Sequence, residues 1–291
     1  AVLIQERCKP NSSAFTYLQK YAGMCGGECI QVEENKCKIL EEACPVCFTR
    51  AKLCPGDAVK VINLPEELSS DMTHRYSLNG FRLFRLPTPR QDSVIGILGP
   101  NGIGKSTAIN LLSGSIMPNL GDWIDPPTDW ESIIETFPRG ELRDYLTLVS
   151  EGEVSIAVKP QYIDKLPKLW SGKVSGLLTR VNDMGELDKY AKQTGIEHLL
   201  ERELKDLSGG ELQRVAICAT ILKDAEVYFF DEPSSYLDIY ERMRMVSIIQ
   251  DLASKGKRVL VVEHDLAILD VLCDMLHIIY GDRGAYGIFT P

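Results

Sequence analysis

The stretch V-I-G-I-L-G-P-N-G-I-G-K-S-T-A-I-N-L-L, residues 94–112, leaves the chain little choice of fold. Residues 94–98 are a short, mostly apolar run, the pattern of a strand buried on both faces. Residues 99–107 then fit G-x-x-x-x-G-K-[ST] without a mismatch. Beyond them Ala108, Ile109, Leu111 and Leu112 carry helical spacing. Strand, glycine loop and helix therefore follow in the order that a phosphate-binding loop requires. Gly99, Gly102 and Gly104 let the backbone curl so that successive N–H groups, those around Asn101 included, point at an anion. The helix N-terminus adds its positive dipole end. Lys105 is placed to reach the β- and γ-phosphates of a nucleotide. The hydroxyl of Ser106, beside Thr107, is placed to ligate Mg²⁺. A chance glycine-rich turn is the competing reading, and the strand and helix on either side argue against it.

At 291 residues the chain has room for one large domain and a small one, or for two medium ones. Its 44% hydrophobic and 25% charged content is that of an ordinary globular protein. No apolar run approaches the roughly 20 residues of a membrane span, and the start A-V-L-I-Q-E-R is too short for a secretory signal. A cytoplasmic protein without membrane contact is expected. The net charge of −9 argues against a generally basic, nucleic-acid-coating surface and leaves room for a local basic patch.

Seven of the nine cysteines lie in the first 54 residues: Cys8, Cys25, Cys29, Cys37, Cys44, Cys47 and Cys54. In a cytosolic chain a cysteine-dense end reads as a metal or iron–sulfur module more readily than as disulfides. Residues 1–64 are too small and too rich in Gly and Pro to bury much core, so they need a ligand or a larger neighbour. Residues 64–69, L-P-E-E-L-S, read as the connection to the second domain, 65–291. There, strands are expected near 94–98, 154–158, 227–230, 258–262, 278–280 and 286–289. Helices are expected at 211–222, 240–253 and 266–272. Residues 173–206 read as largely helical, and residues 129–150 as a helix–loop–helix broken at Pro138-Arg139-Gly140. Strands alternating with helices imply a mostly parallel, covered sheet. No second phosphate loop and no internal repeat is present.

Two further motifs carry chemistry. In E-V-Y-F-F-D-E-P, four apolar residues end in two carboxylates, which puts Asp231 and Glu232 at the C-terminal end of a central strand, where ligands sit in open α/β sheets. Asp231 is placed to hold Mg²⁺. Glu232 is placed to polarise an attacking water as general base. A solvated acidic turn is the alternative. In L-S-G-G-E-L-Q, Ser208 can cap the following helix, and Gly209 and Gly210 free its first amides for an anion. A plain N-cap explains the serine and leaves the two glycines unexplained.

This last stretch resembles the signature loop of ATP-binding-cassette ATPases, and the rest of that family's pattern follows in order. Gln161 matches its single glutamine between the nucleotide motifs, a Mg²⁺ and catalytic position. Ser235-Tyr236-Leu237-Asp238 matches the loop after the carboxylates, and His264, in Glu263-His264-Asp265, the switch histidine at the γ-phosphate. The resemblance implies that two such domains pair head to tail. Lys105, Asp231, Glu232 and His264 would then serve one ATP, while Ser208 and Gly210 complete the other, and Asp238 is a further nucleotide-binding candidate. Tyr76 and Phe81 are candidates to stack on adenine, with sheet packing as the alternative.

The cysteine segment narrows the resemblance. C-P-V-C-F-T-R-A-K-L-C-P, residues 44–55, is one substitution from the ferredoxin run C-x₂-C-x₂-C-x₃-C-P. A ferredoxin-like module before a cassette resembles the class E ATP-binding-cassette proteins, the RNase L inhibitor family of ribosome-recycling factors, and the match covers nearly the whole chain. It implies an α/β cassette with a mostly parallel sheet and a helical subdomain, preceded by a small α+β ferredoxin-like domain. It also implies ATP and Mg²⁺, a second cassette following the hinge that would begin at Phe289-Thr290-Pro291, a release-factor-like partner, and the small ribosomal subunit, with ribosomal RNA touched near Gly140 and Leu142. The family holds two [4Fe–4S] clusters on eight cysteines. Here Arg50, Ser13 and Tyr17 stand where ligands are expected. One site drawn from Cys25, Cys29, Cys44, Cys47 and Cys54 remains as an iron–sulfur cluster, as tetrahedral zinc, or as free thiols without metal. The expected function is ATP hydrolysis that closes paired cassettes and splits ribosomal subunits. A transporter ATPase subunit and a non-catalytic, nucleotide-clamped ribosome-bound factor are the alternatives.

Overall fold

The computed structural model describes residues 2–4, 7–22, 29–33, 36–39, 53–60, 71–77 and 79–290. The expected domain boundary at 64/65 and the connection 64–69 lie outside them, as do Cys25, Cys44, Cys47 and Arg50.

The strands run β1 (Val2–Leu3), β2 (Ile30–Glu33), β3 (Lys36–Ile39), β4 (Val59–Lys60), β5 (Met72–Arg75), β6 (Arg82–Phe84), β7 (Ser93–Leu98), β8 (Ile156–Lys159), β9 (Val227–Asp231), β10 (Arg258–Val262), β11 (Met275–Asp282) and β12 (Tyr286–Phe289). The helices used below are α1 (Ser13–Tyr21), α2 (Lys105–Leu112), α3 (Trp130–Thr136), α4 (Glu141–Glu151), α5 (Val174–Arg180), α6 (Leu187–Gln193), α7 (Gly209–Ile221), α8 (Ile239–Ser254) and α9 (Leu266–Leu272).

One eight-stranded sheet dominates, in the order β5-β6-β12-β11-β7-β10-β9-β8. Strands β8, β9, β10, β7 and β11 are mutually parallel, and β11–β12 and β5–β6 are antiparallel. This is the mostly parallel α/β architecture that the motif order implies. The two faces of β9 explain why its sequence is apolar up to Asp231. Tyr228 and Phe230 pack with α5–α8 in one core, while Val227 and Phe229 join Ile95, Ile97 and α2 in a second core on the opposite face. Full burial of each such aromatic contributes about 1.5–3 kcal/mol.

Several bounds differ from expectation. β11 begins at Met275 and ends at Asp282, well beyond 278–280. Met275, Leu276, Ile278 and Tyr280 are exposed, so there is no buried run to read. Main-chain pairing to β7 and then to β12 makes the strand instead. β8 occupies 156–159 because its pairing with β9 starts at Ile156 opposite Val227. Residues 173–206 fall into the short α5 and α6 and single 3₁₀ turns. α7 starts at Gly209, two residues early, because Ser208 caps it and draws both glycines into the first turn. The helix–loop–helix is present as α3 and α4. Tyr145 pins α4 to the end of α2 by donating its hydroxyl to the Leu112 carbonyl at 2.8 Å.

Before this sheet, β1 pairs with β4 and β2 with β3, both antiparallel. α1, capped by the Ser12 hydroxyl, packs Phe15 and Leu18 against Leu3, Ile39 and Ala58. Asn79 ties this small core to the sheet. Its side chain accepts from the Ile39 amide at 2.6 Å and donates to the Ile39 carbonyl at 2.8 Å.

Candidate functional site

β7 delivers the chain into the loop 99–104, and α2 carries it away. Gly104 stands at φ 99°, a left-handed conformation, and a Cβ there would lie 2.5 Å from Cζ of Phe81. Two constraints therefore coincide on one glycine: the turn into α2 and the seat of an aromatic ring. Lys105, the first residue of α2, is buried. Its Nζ donates to the carbonyls of Gly99 (2.8 Å) and Pro100 (2.9 Å) and to Oδ1 of Asn101 (3.1 Å). Burial pushes its pKa down, opposed by Glu232 and Asp231.

At the end of β9, Asp231 Oδ2 accepts from the Ser106 hydroxyl at 3.2 Å, so the two expected Mg²⁺ ligands already touch. Burial raises the Asp231 carboxyl, and the Ser106 hydrogen bond offsets part of the rise. Glu232 follows at φ 47°. Its Oε1 accepts from Gln161 Nε2 at 2.7 Å and meets His264 Nε2 at 3.1 Å. Two side chains from the ends of β8 and β10 thus converge on one oxygen of the expected base. In this structure the imidazole of His264 faces that carboxylate.

These groups border a cavity of about 560 Å³, a size suited to a small-molecule ligand. Tyr76, Phe81, Asn101, Gly102, Gly104, Lys105, Ser106, Thr107, Gln161, Asp231 and Glu232 line it. Tyr76 is half exposed, and its hydroxyl lies 3.2 Å from that of Thr107, with the ring at the mouth. Phe81 packs on Gly104, so the sheet-packing alternative describes it better than it describes Tyr76.

Ser208, Gly210 and Asp238 are not in that cavity. They border a separate shallow depression with Glu211, Arg214 and Tyr236. The loop also has local reasons for its residues. The double glycine is demanded by packing before any anion arrives. A Cβ on Gly210 would lie 2.9 Å from the Tyr236 carbonyl, and one on Gly209 would lie 3.2 Å from its ring. Ser208 and Glu211 close a reciprocal capping box, with the Ser208 amide donating to Glu211 Oε2 at 2.8 Å. Asp238 caps α8 by accepting from the Glu241 amide at 2.9 Å.

Sequence reasoning missed a wall and a floor. Leu3 and Ile4 of the N-terminal module line the cavity, with Gly284 beside them. Beneath the carboxylates lie Lys159, Gln213 and Glu263, all buried. Lys159 ends an otherwise apolar strand, I-A-V-K, and a charge in that place was the available signal. Burial brings it down to about 8, opposed by Asp231, Glu263 and Glu232, so it stays largely charged at neutral pH.

Of the cysteines, Cys54 is buried with Cys8 and Cys37 in the small core, and Cys29 is buried as well. Burial pushes Cys37 up to about 12, reinforced by Cys8, and raises Cys8 and Cys54 as well. Among the described residues no group of three or more His, Cys, Asp or Glu side chains is arranged to hold a metal. Gly140, exposed, caps α4, and Leu142 is partly buried against the second core. Both lie outside the cavity. No helix among the described residues is long and apolar enough to cross a membrane.

Residues 88–235 match the family profile described as "ABC transporter". "ABC transporter E family member 1" of Arabidopsis thaliana is 41% identical over the whole chain, which covers 48% of that protein. "Translation initiation factor RLI1" of Saccharomyces cerevisiae is also 41% identical over the whole chain, covering 49% of it. The solved structure "Model of ribosome-bound archaeal Pelota and ABCE1" superposes with a TM-score of 0.92 at 45% identity, over all of this chain and 49% of that one. The chain thus spans about half the length of the curated relatives it matches. A phosphate loop whose serine meets Asp231, a Glu232 carboxylate held by Gln161 and His264, a separate signature loop and these full-length matches lead to one assignment: the chain belongs to the ATP-binding-cassette family, in its E class.

Proposed function

We propose that this chain is the N-terminal cassette of an ATPase whose paired cassettes close on ATP and drive ribosomal subunits apart. The observation that carries the proposal is the division of the motifs. Lys105, Asp231, Glu232 and Gln161 line one cavity, with His264 against Glu232, while Ser208, Gly210 and Asp238 border a different depression. A nucleotide in the cavity therefore lacks its signature loop until a second cassette supplies one. The names of the relatives, a translation initiation factor and a ribosome-bound complex with Pelota, support the ribosome and a release-factor-like protein as partners.

In the proposed reaction Lys105 exchanges its loop carbonyls for β- and γ-phosphate oxygens, aided by the amides around Gly102 and Gly104. Ser106 and Asp231, with Gln161, would hold Mg²⁺, which supplies charge neutralisation at the phosphates. Glu232 takes a proton from the attacking water while Gln161 and His264 fix its carboxylate. His264 is also the proposed γ-phosphate contact. Tyr76, backed by Phe81, stacks on the base. The helix–loop–helix meets ribosomal RNA at Gly140, with Leu142 behind it. The protein works in the cytoplasm.

Glu232→Gln in the full-length protein is expected to lower ATP turnover roughly 10²–10⁴-fold and to trap the closed, ATP-bound form on the small subunit. Normal turnover by that variant would remove Glu232 as the base. Co-fractionation of the protein with membranes instead of ribosomes would favour a transporter subunit.

For the ferredoxin-like module the proposal is one metal site at most, drawn from Cys25, Cys29, Cys44, Cys47 and Cys54. No step above passes through it. Anaerobically prepared protein is expected to carry no more than about four irons per chain, one cluster's worth. Eight irons per chain would show that other side chains replace the missing cysteines.

A further inference from the structure

Three consecutive carbonyls run through the turn that presents the general base, and buried side chains from outside the turn hold all three. Lys159 Nζ donates to the Asp231 carbonyl at 2.8 Å and lies 3.4 Å from that of Glu232. Gln213 Nε2 donates to the carbonyls of Glu232 and Pro233, both at 2.8 Å. The next amide, Ser234 N–H, donates to Glu263 Oε1 at 2.7 Å. Both Lys159 and Gln213 are fully buried, with 0% exposure.

This concentration of buried polar groups has a local reason. Glu232 sits at φ 47° and Tyr236 at φ 64°. A non-glycine residue in the left-handed region is strained and persists only where its surroundings over-determine it. Here the surroundings are one ammonium and one amide aimed at carbonyls that the strand ladder has just released. The side-chain contacts of Glu232 with Gln161 and His264 set only its carboxylate. They do not set the backbone from which that carboxylate projects.

We infer that Lys159 and Gln213 are the positioning residues of Glu232, and that Gln213 makes the signature helix part of the base's support. Gln213 lies one turn into α7, just past the Ser208–Gly210 loop. Tyr236, at the other end of the supported turn, packs on Gly209 and Gly210. The loop that completes one nucleotide site is thereby fastened, through Gln213 and Tyr236, to the backbone of the base of the other site. Movement of the signature loop as cassettes close re-aims Glu232. The inference rests on the proposed role of Glu232 as base.

The test uses the full-length protein with ribosomes present. Gln213→Leu and, separately, Lys159→Met remove the donors and keep buried bulk. Each is expected to lower kcat for ATP about tenfold or more, with KM changed less than about twofold, because the phosphate loop is untouched. In a Glu232→Gln background neither should add a further loss, since both act through that carboxylate. A folded variant with wild-type kcat, or losses that multiply with Glu232→Gln, would overturn the inference. So would parallel losses in kcat and ATP affinity. Should Gln213→Leu fail to fold, Gln213→Asn, which keeps the amide and shortens its reach, carries the same expectation. If Glu232→Gln itself turns over normally, the fault lies with the base. If that variant is inactive and the others are normal, only the positioning role fails.

Discussion

Gly210 illustrates how a residue serves local and distant structure together. In the sequence it reads as an open helix N-terminus waiting for an anion. In the fold its missing Cβ makes room for the Tyr236 carbonyl, 2.9 Å from where that carbon would stand. A backbone oxygen cannot swing aside as a flexible side chain does, so Gly210→Ala must displace either α7 or the loop after the carboxylates. Overpacking of this kind costs about 1–3 kcal/mol. Denaturant melts are expected to register that loss, and ATP turnover of the full-length variant should fall with it. Ser208 makes the complementary point. Its place before the helix announces an N-cap, and the cap is there, closed by Glu211 into a capping box. Lys105 follows the same logic: its identity was legible from the motif, and its resting partners, three oxygens of its own loop, were not.

Among the elements, α7 joins the first core to the site. Val215, Ile217, Cys218 and Ile221 pack into the first core, and Gln213 reaches the carboxylate turn. Burial raises the Cys218 thiol from its ordinary 9.0 to about 12, against a smaller lowering by a hydrogen bond with Thr194. The sign of the consequence follows directly. Between pH 9 and 12 the folded state keeps a proton that the unfolded state has released, so stability falls as pH rises through that window and is unaffected below it. Replacing the thiol by Cys218→Ala should flatten the fall, which thermal melts across pH 8–11 can measure. The helix itself was plain in the sequence. Its first turn was not, because two glycines conceal a helix start that capping by Ser208 makes stable.

At the level of the whole molecule, Asn79 joins the N-terminal module to the sheet by serving both the amide and the carbonyl of Ile39. Removing one partner from such a pair leaves polar groups unsatisfied, at about 1–3 kcal/mol each when buried. Asn79→Ala is therefore expected to expose the Ile39 amide to exchange while the amides of β7, β9 and β10 stay protected, which site-resolved hydrogen exchange can read. Because Leu3 and Ile4 line the nucleotide cavity, loosening the module should also weaken ATP binding.

The chain's local chemistry was written in residue order. A phosphate loop, a carboxylate pair, an N-cap and alternating strands and helices each depend on neighbours within about a dozen positions. Periodicity and spacing therefore reveal them, along with the α/β fold they imply. What only the folded molecule decides is which distant groups meet. Lys159 approaches Asp231 across 72 positions, Asn79 approaches Ile39 across 40, and Ile4 reaches the cavity beside Gly284. Such contacts arise from strand register and sheet packing. Their energy lies in burying polar groups against partners that no sequence window contains. For that reason the residues that line the cavity could be singled out in the sequence, while the buried groups beneath Glu232 could not.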